Sequence, residues 1–260
     1  MAENVRIEIG DGAAIPSKKD KGLLNAWWLA FIGAIAVIVC LIVFRPDPYW
    51  RILKFLPDGI LVTFQVTVMS IVLALVIGLI TGLGRISRNR FINLVASTYV
   101  EIVRGIPLLV QLFYIYYALG RIVKVPDIFA AVIAMSFCYG AYMGEVFRAG
   151  IEAIDKGQTE AARSLGFNRT QTMFLVVLPQ AWRTILPPVG NEFIALLKDS
   201  SLVSILAVSD MLRRGREFAS ESFYYFEAYT MVALVYLFIT LLLSKGVSLM
   251  ENKLNYYDRD

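Results

Sequence analysis

GILVTFQVTVMSIVLALVIGLITGLG, residues 59–84, runs for 26 residues without a charged side chain. As a helix rising about 1.5 Å per residue, it outlasts the ~30 Å hydrocarbon core of a bilayer. It ends abruptly in the basic cluster Arg85, Arg88 and Arg90. Similar blocks lie on both sides. Upstream, Ala26–Phe44 is charge-free over 19 residues, with Trp27 and Trp28 at one edge, where interfacial aromatics belong. Downstream come Phe91–Gly120 (interrupted by Glu101 and Arg104), Ile128–Gly144, a Pro-interrupted stretch from Met173 to Val208, and Ala228–Ser244. The pattern predicts an all-α polytopic membrane protein with about six transmembrane helices. FRPDPYWRILKFLPD, residues 44–58, reads as a surface loop with a short interfacial helix, and residues 209–227 as a polar loop.

Composition agrees. The chain is 58% hydrophobic, against roughly 45–50% for soluble domains, and its mean hydropathy is +0.64. The net charge of +4 sits in short loops beside apolar blocks, not on a basic face interleaved with aromatics, so no nucleic-acid partner is expected. Lys18, Lys19 and Lys21, the Arg85–Arg90 cluster, Lys156, Arg163 and Arg169, and Lys245 and Lys253 all fall on one side if both termini are cytoplasmic. Arg121, Lys124 and the arginines of RRGRE (213–217) then lie on the other side, against the rule. Residues 1–24 are polar, lack the apolar core of a signal peptide, and are expected to form a flexible cytoplasmic tail. There is no histidine, and Cys40 and Cys138 lie inside apolar blocks without metal-ligand or disulfide spacing.

The polar island AIDKGQTEAARSLGFNRTQTMFLVVLPQA, residues 153–181, is richest in local signals. Asp155 is placed to cap a helix starting at Lys156, with Gln158 completing a capping-box pattern. Gly166 is placed to end that helix in a left-handed turn, and Asn168 to cap a second helix with Gln171. Ala161, Ala162 and Leu165 are expected on one face of the stub, Glu160 and Arg163 on another. A short, rigid, capped helix projecting from the membrane is what a docking element needs.

Glu160-Ala161-Ala162, then Gly166, then Leu178-Pro179 resembles the EAA loop of ABC importer permeases. Arg104, Gly105, Pro107, Leu108, Leu109 and Gln111 are similar to the RG-x-P-LL-x-Q run of the polar amino-acid members of that family. Leu197 to Leu202 (LKDSSL), YGAYMGEVFRAGIEAI (139–154) and GNEFIALL (190–197) look like the same subfamily, so the likeness covers residues 55–250. It implies the ABC type-1 importer transmembrane domain over 55–250, with a coupling loop at 155–171. Glu160, Ala161, Ala162 and Gly166 would then dock on a separate ATPase. The helix at 25–45 is an addition to the five-span core that the family leads one to expect. The resemblance further implies an ATPase dimer, a second permease chain, same or homologous, an extracytoplasmic amino-acid-binding protein, and residence in the bacterial inner membrane.

Glu192, Lys198 and Asp199 fall inside the fifth apolar stretch. Charges at that depth cost at least ~2.5–3.5 kcal/mol and so turn toward protein or water. Glu192 and Asp199, seven apart, share a helical face and suit an ammonium; Lys198, Ser200 and Ser201, near a helix break, suit a carboxylate. Pro187 and Pro188 are expected to kink the helix before them. The structural alternatives are a Lys198–Asp199 ion pair here and a Glu101–Arg104 pair in the third block. The expected substrate pathway comprises Glu192, Lys198, Asp199, Ser200, Ser201, Arg104 and Gln111. No phosphate-binding loop, nucleophile elbow or HExxH occurs, so the chain is expected to be no enzyme and to hold no cofactor, ATP belonging to the partner. A secondary transporter driven by an ion gradient is the competing reading, but its inverted repeats are not visible.

Overall fold

The computed structural model describes residues 26–122 and 125–255; the expected tail 1–24 and Lys124 lie outside them. The described residues form α1 (Ala26–Phe44), α2 (Pro46–Phe55), α3 (Pro57–Arg85), α4 (Arg90–Gly105), α5 (Leu108–Ile122), α6 (Asp127–Glu152), α7 (Lys156–Ser164), α8 (Arg169–Gln171), a π-helical segment (Thr172–Val177), α9 (Leu178–Asp199), a 3₁₀ segment (Ser200–Leu206), α10 (Met211–Ser222) and α11 (Tyr225–Asn255).

Among the described residues four helices, α1, α3, α6 and α11, are long and apolar enough to cross a bilayer, and α4 with α5, bent by 110°, is a fifth if the bent pair counts as one span. The fifth expected span, Met173–Val208, is a composite rod of π-helix, α9 and 3₁₀ turns. Its core, α9, is 22 residues, about 33 Å. The rod is continuous through Pro187 and Pro188, and the change of helix type comes later, at Ser200. The expected loop at 209–227 is largely helical: α10 spans 12 residues and begins at an Asp210 cap.

The bend between α4 and α5 has a local cause. Pro107 lacks an N–H, and Ile106 before it is held extended at φ −107°, ψ 136°. The carbonyls freed there are recovered by one side chain. Gln111 Nε2 donates to the carbonyls of Val103 (2.6 Å) and Ile106 (2.7 Å), as backbone inside a membrane requires.

α3 and α6 form the tightest pair. A Cβ on Gly82 would meet the Gly144 carbonyl oxygen at 2.9 Å, and one on Gly144 would meet Thr81 Cγ2 at 2.9 Å. On α6, Gly144 therefore faces Gly78 and Gly82 of α3 while Gly140 lies against Ile77, and the backbones come close enough for Ser136 Oγ to donate to the Ser70 carbonyl at 3.2 Å. Two cores result. One joins α3, α5, α6, α9 and the 3₁₀ segment; the other, around Ile52, Leu56, Met211 and Met231, joins α2, α10 and α11. α1 buries only Ala34 and rests on α11, with Phe31 stacked on Phe238 at 5.5 Å between ring centres.

Candidate functional site

The stub α7 is built by its own chain. Asp155 Oδ1 accepts from the Gly157 N–H at 2.6 Å. At the other end Gly166 has φ +87°, its N–H bonds the Arg163 carbonyl (3.0 Å), and the Phe167 N–H reaches back to Ala162 (3.1 Å). That pair of bonds is a Schellman closure, which favours glycine at the left-handed residue. Asn168 and Gln171 then exchange side chain-to-backbone bonds, each at 2.9 Å, in a full capping box. The first capping box does not form: Gln158 Oε1 instead accepts from Gln180 Nε2 on α9 at 3.2 Å, linking the stub to the rod. The expected apolar face also divides. Ala162 is buried against the bundle, while Ala161 and Leu165, four apart, point out beside exposed Glu160. Nothing lies within 4 Å of a Cβ built on Gly166, so only backbone conformation selects glycine there.

A charged band joins α3, α4 and α6. Arg85 on α3 pairs with Glu145 on α6 and approaches Glu101 on α4 at 3.9 Å; Arg148 Nε donates to Glu145 at 3.1 Å, and Arg148 pairs with Glu152. Glu101 is 78% exposed and turned to Arg85, so the expected Glu101–Arg104 pair does not form.

Deeper in the bundle, the predicted pathway residues separate into two groups. Tyr139 on α6 donates to Asp199 Oδ2 at 2.7 Å. Tyr139 and Tyr142 have ring centres 5.6 Å apart, and the Arg104 guanidinium lies 5.7 Å over the Tyr142 ring. Half-buried Glu192 lies within electrostatic reach of both Arg104 and Asp199. Three helices thus bring one cation, two carboxylates and two phenols to one place: α4 supplies Arg104, α6 the tyrosines and α9 the acids. The other group sits elsewhere. Ser200 is buried, its hydroxyl donating to the Leu197 carbonyl at 2.7 Å. Gln111 is occupied at the α4–α5 bend. Ser201 is half-buried; Lys198 is exposed and makes no ion pair with Asp199 among the described residues. Sequence reasoning passed over Tyr139 and Tyr142; their signal was i, i+3 spacing beside Gly140 and Gly144 on an otherwise apolar helix.

Far from α7, the arginines of 213–217 are consumed locally. Arg213 and Arg214 bond Glu217 (2.9 and 3.2 Å), and Arg216 donates to the Ser204 carbonyl at 3.1 Å. Arg214 also lies over the Phe55 ring at 5.6 Å.

Comparison with known proteins agrees with this geometry. Residues 74–255 match the family described as binding-protein-dependent transport system inner membrane component. The chain is 39% identical over 211 residues to the L-cystine transport system permease protein TcyB of Bacillus subtilis, covering 80% of this chain and 89% of TcyB. It is 37% identical over 203 residues to the probable glutamine ABC transporter permease protein GlnP of the same organism, covering 76% and 93%. Among solved structures, an amino acid ABC transporter crystallised with histidines superposes with a TM-score of 0.74 at 38% identity, over 83% of this chain and 98% of that one. A methionine ABC transporter, MetNI, shares the fold at 18% identity, with a TM-score of 0.68 over 78% of this chain and 98% of that one. With a capped stub at one end of the bundle and a polar cluster within it, the chain belongs to the binding-protein-dependent transport system inner membrane components, the permease subunits of ABC transporters.

Proposed function

We propose that this permease imports a polar L-amino acid, delivered by an external binding protein and driven by a separate ATPase. The observation that carries the reading is the cluster of Arg104, Tyr139, Tyr142, Glu192 and Asp199. A zwitterion needs an anionic partner for its ammonium and a cationic one for its carboxylate, both out of bulk water. Glu192 and Asp199 offer the first and Arg104 the second; Tyr139 holds Asp199 in place. Permeases for cystine, glutamine and arginine among the relatives support a polar cargo. Lys198, Ser200, Ser201 and Gln111 serve the pathway from its periphery. α7, through Glu160, Ala161, Ala162 and Gly166, seats in the ATPase, which alone holds ATP. The chain itself carries no cofactor. Two permease chains enclose the pathway in the bacterial inner membrane, with both termini cytoplasmic.

The test is reconstitution with the ATPase and binding protein in liposomes, followed by ATP-dependent uptake of a panel of labelled amino acids. Asp199→Asn is expected to cut uptake on the order of tenfold or more, with the assembly intact. Uptake driven by an ion gradient without ATP would instead establish secondary transport.

A further inference from the structure

The structure assigns an anionic phospholipid site to the groove between the α3–α4 turn and the coupling stub. Arg88, from the turn, and Arg163 and Arg169, from α7 and α8, line one hollow of about 580 Å³. None of the three has an ion-pair partner among the described residues. The remaining charges of the hollow are already matched: Arg85 by Glu145 and Glu101, and Glu152 by Arg148. Two stretches far apart in sequence, the α3–α4 turn and the α7–α8 region, thus direct three uncompensated guanidiniums at one space, an arrangement that repels itself unless an anion sits between them.

The groove does not stop at the stub. It adjoins a second hollow of about 550 Å³ that shares Ser87, Arg88 and Asn93 and adds Arg90, Phe91 and Leu94. Phe91 and Leu94 are 73% and 64% exposed on the first turns of α4, which together with α5 is apolar enough to enter a membrane, so an exposed apolar wall adjoins the basic hollow. The ligand chemistry follows from this layout. A phosphate takes the forked N–H donors of the arginines, and hydrocarbon chains attached to it run down over Phe91 and Leu94. Basic pockets between spans at the headgroup level recognise anionic lipid in this way. A carboxylate from a protein partner would use the arginines but not the apolar wall. The occupant would bridge Arg88 on the bundle to Arg163 and Arg169 on the stub, bracing α7 against α3 and α4.

The experiment uses the full chain in detergent. Retention of phosphatidylglycerol and of phosphatidylcholine is titrated by native mass spectrometry, for the wild type, for R88Q/R169Q and for R88K/R169K. The expected result is preferential retention of phosphatidylglycerol by the wild type. A fall of tenfold or more is expected in the glutamine pair, with a smaller fall in the lysine pair, which keeps the charge and loses the fork. Inorganic phosphate should not displace the lipid from the wild-type chain. Equal retention of the two lipids by the wild type would overturn the proposal, as would undiminished phosphatidylglycerol selectivity in the glutamine pair. Displacement by millimolar phosphate would show a free-anion site instead. Loss of ATPase copurification in the glutamine pair, with lipid retention unchanged, would reassign the arginines to the protein partner.

Discussion

α7 and α10 are both short helices capped by an aspartate, at opposite ends of the bundle, yet they are held in opposite ways. Gly59 at the start of α3 touches α10, while Arg85 at its end pairs with Glu145, near α7. The cap of α7, Asp155, is exposed, and Ala162 is the sole buried residue of that helix. The cap of α10, Asp210, is fully buried, and so are Met211, Gly215, Phe218 and Ala219. α7 owes its shape to local backbone bonds and can present a face to another subunit. α10 owes its place to the bundle. The Met211 N–H donates to Thr63 Oγ1 at 3.1 Å, across 148 residues of sequence. A helix defined by its own caps can shift as a unit; one defined by burial cannot move without opening a core.

The largest effect should come from breaking the buried side. A Cβ at Gly59 would meet Met211 Cα at 2.8 Å and the Asp210 carbonyl oxygen at 2.9 Å. Both are backbone atoms that cannot rotate away. Gly59→Leu is expected to cost upwards of about 3 kcal/mol, seen as a fall on the order of 6–12 °C in the melting of the detergent-solubilised chain. Melting at the wild-type temperature would show that α10 is not locked to α3.

Gly166→Val tests the other side. At φ +87° an L-residue is strained by about 1–2 kcal/mol, but open space surrounds the position. Bundle melting should therefore change little. The stub should tilt or fray, and uptake should fall on the order of tenfold while ATP hydrolysis continues. A variant that loses both hydrolysis and melting temperature would mean the stub belongs to the fold rather than to the coupling.

What was legible in the sequence follows the same division. Asp155, Gly166, Asn168 and Gln171 act within a few residues of themselves, and each is found in its expected cap. The apolar blocks were legible because membrane spans are specified by composition. Relations across distance were not. Gln158 fits a local capping box, but its side chain finds Gln180, 22 residues away. Asp199 suggests an ion pair with its neighbour Lys198, but bonds Tyr139, 60 residues away, because adjacent residues on a helix point in different directions. The 110° bend is foreshadowed by Gly105 and Pro107, but its angle depends on Gln111 being free to take up two carbonyls. α10 was hidden because its arginines look like loop residues until their bonds to Glu217 one turn on and to the Ser204 carbonyl are known.

Deleting each cap in turn sharpens the comparison. Asp155→Ala removes an exposed acceptor whose N–H donor can turn to water, and should cost about 0.5–1 kcal/mol. Asp210→Ala strands the N–H groups of Leu212 and Arg213, now bonded at 3.2 and 3.0 Å, beside a buried core. It should cost about 2 kcal/mol, read as a correspondingly larger fall in melting temperature. Equal costs would remove the distinction between the two helices.

The smallest expected effect is a dependence on pH. Burial pushes the Asp210 carboxyl up from 3.8 to about 6, against the opposing pull of the Arg213 and Leu212 N–H groups and the Arg216 charge. Between those two values the folded chain holds a proton that the unfolded chain has released. Asp210 therefore contributes stability that is fully present below this window and is lost as pH rises through it. Asp210→Asn keeps one oxygen acceptor at the cap and cannot ionise. From pH 5 to 7.5 the wild type should lose a few degrees of melting temperature more than Asp210→Asn does. Superimposable profiles would show that water reaches Asp210, and that the α10 cap is as open as that of α7.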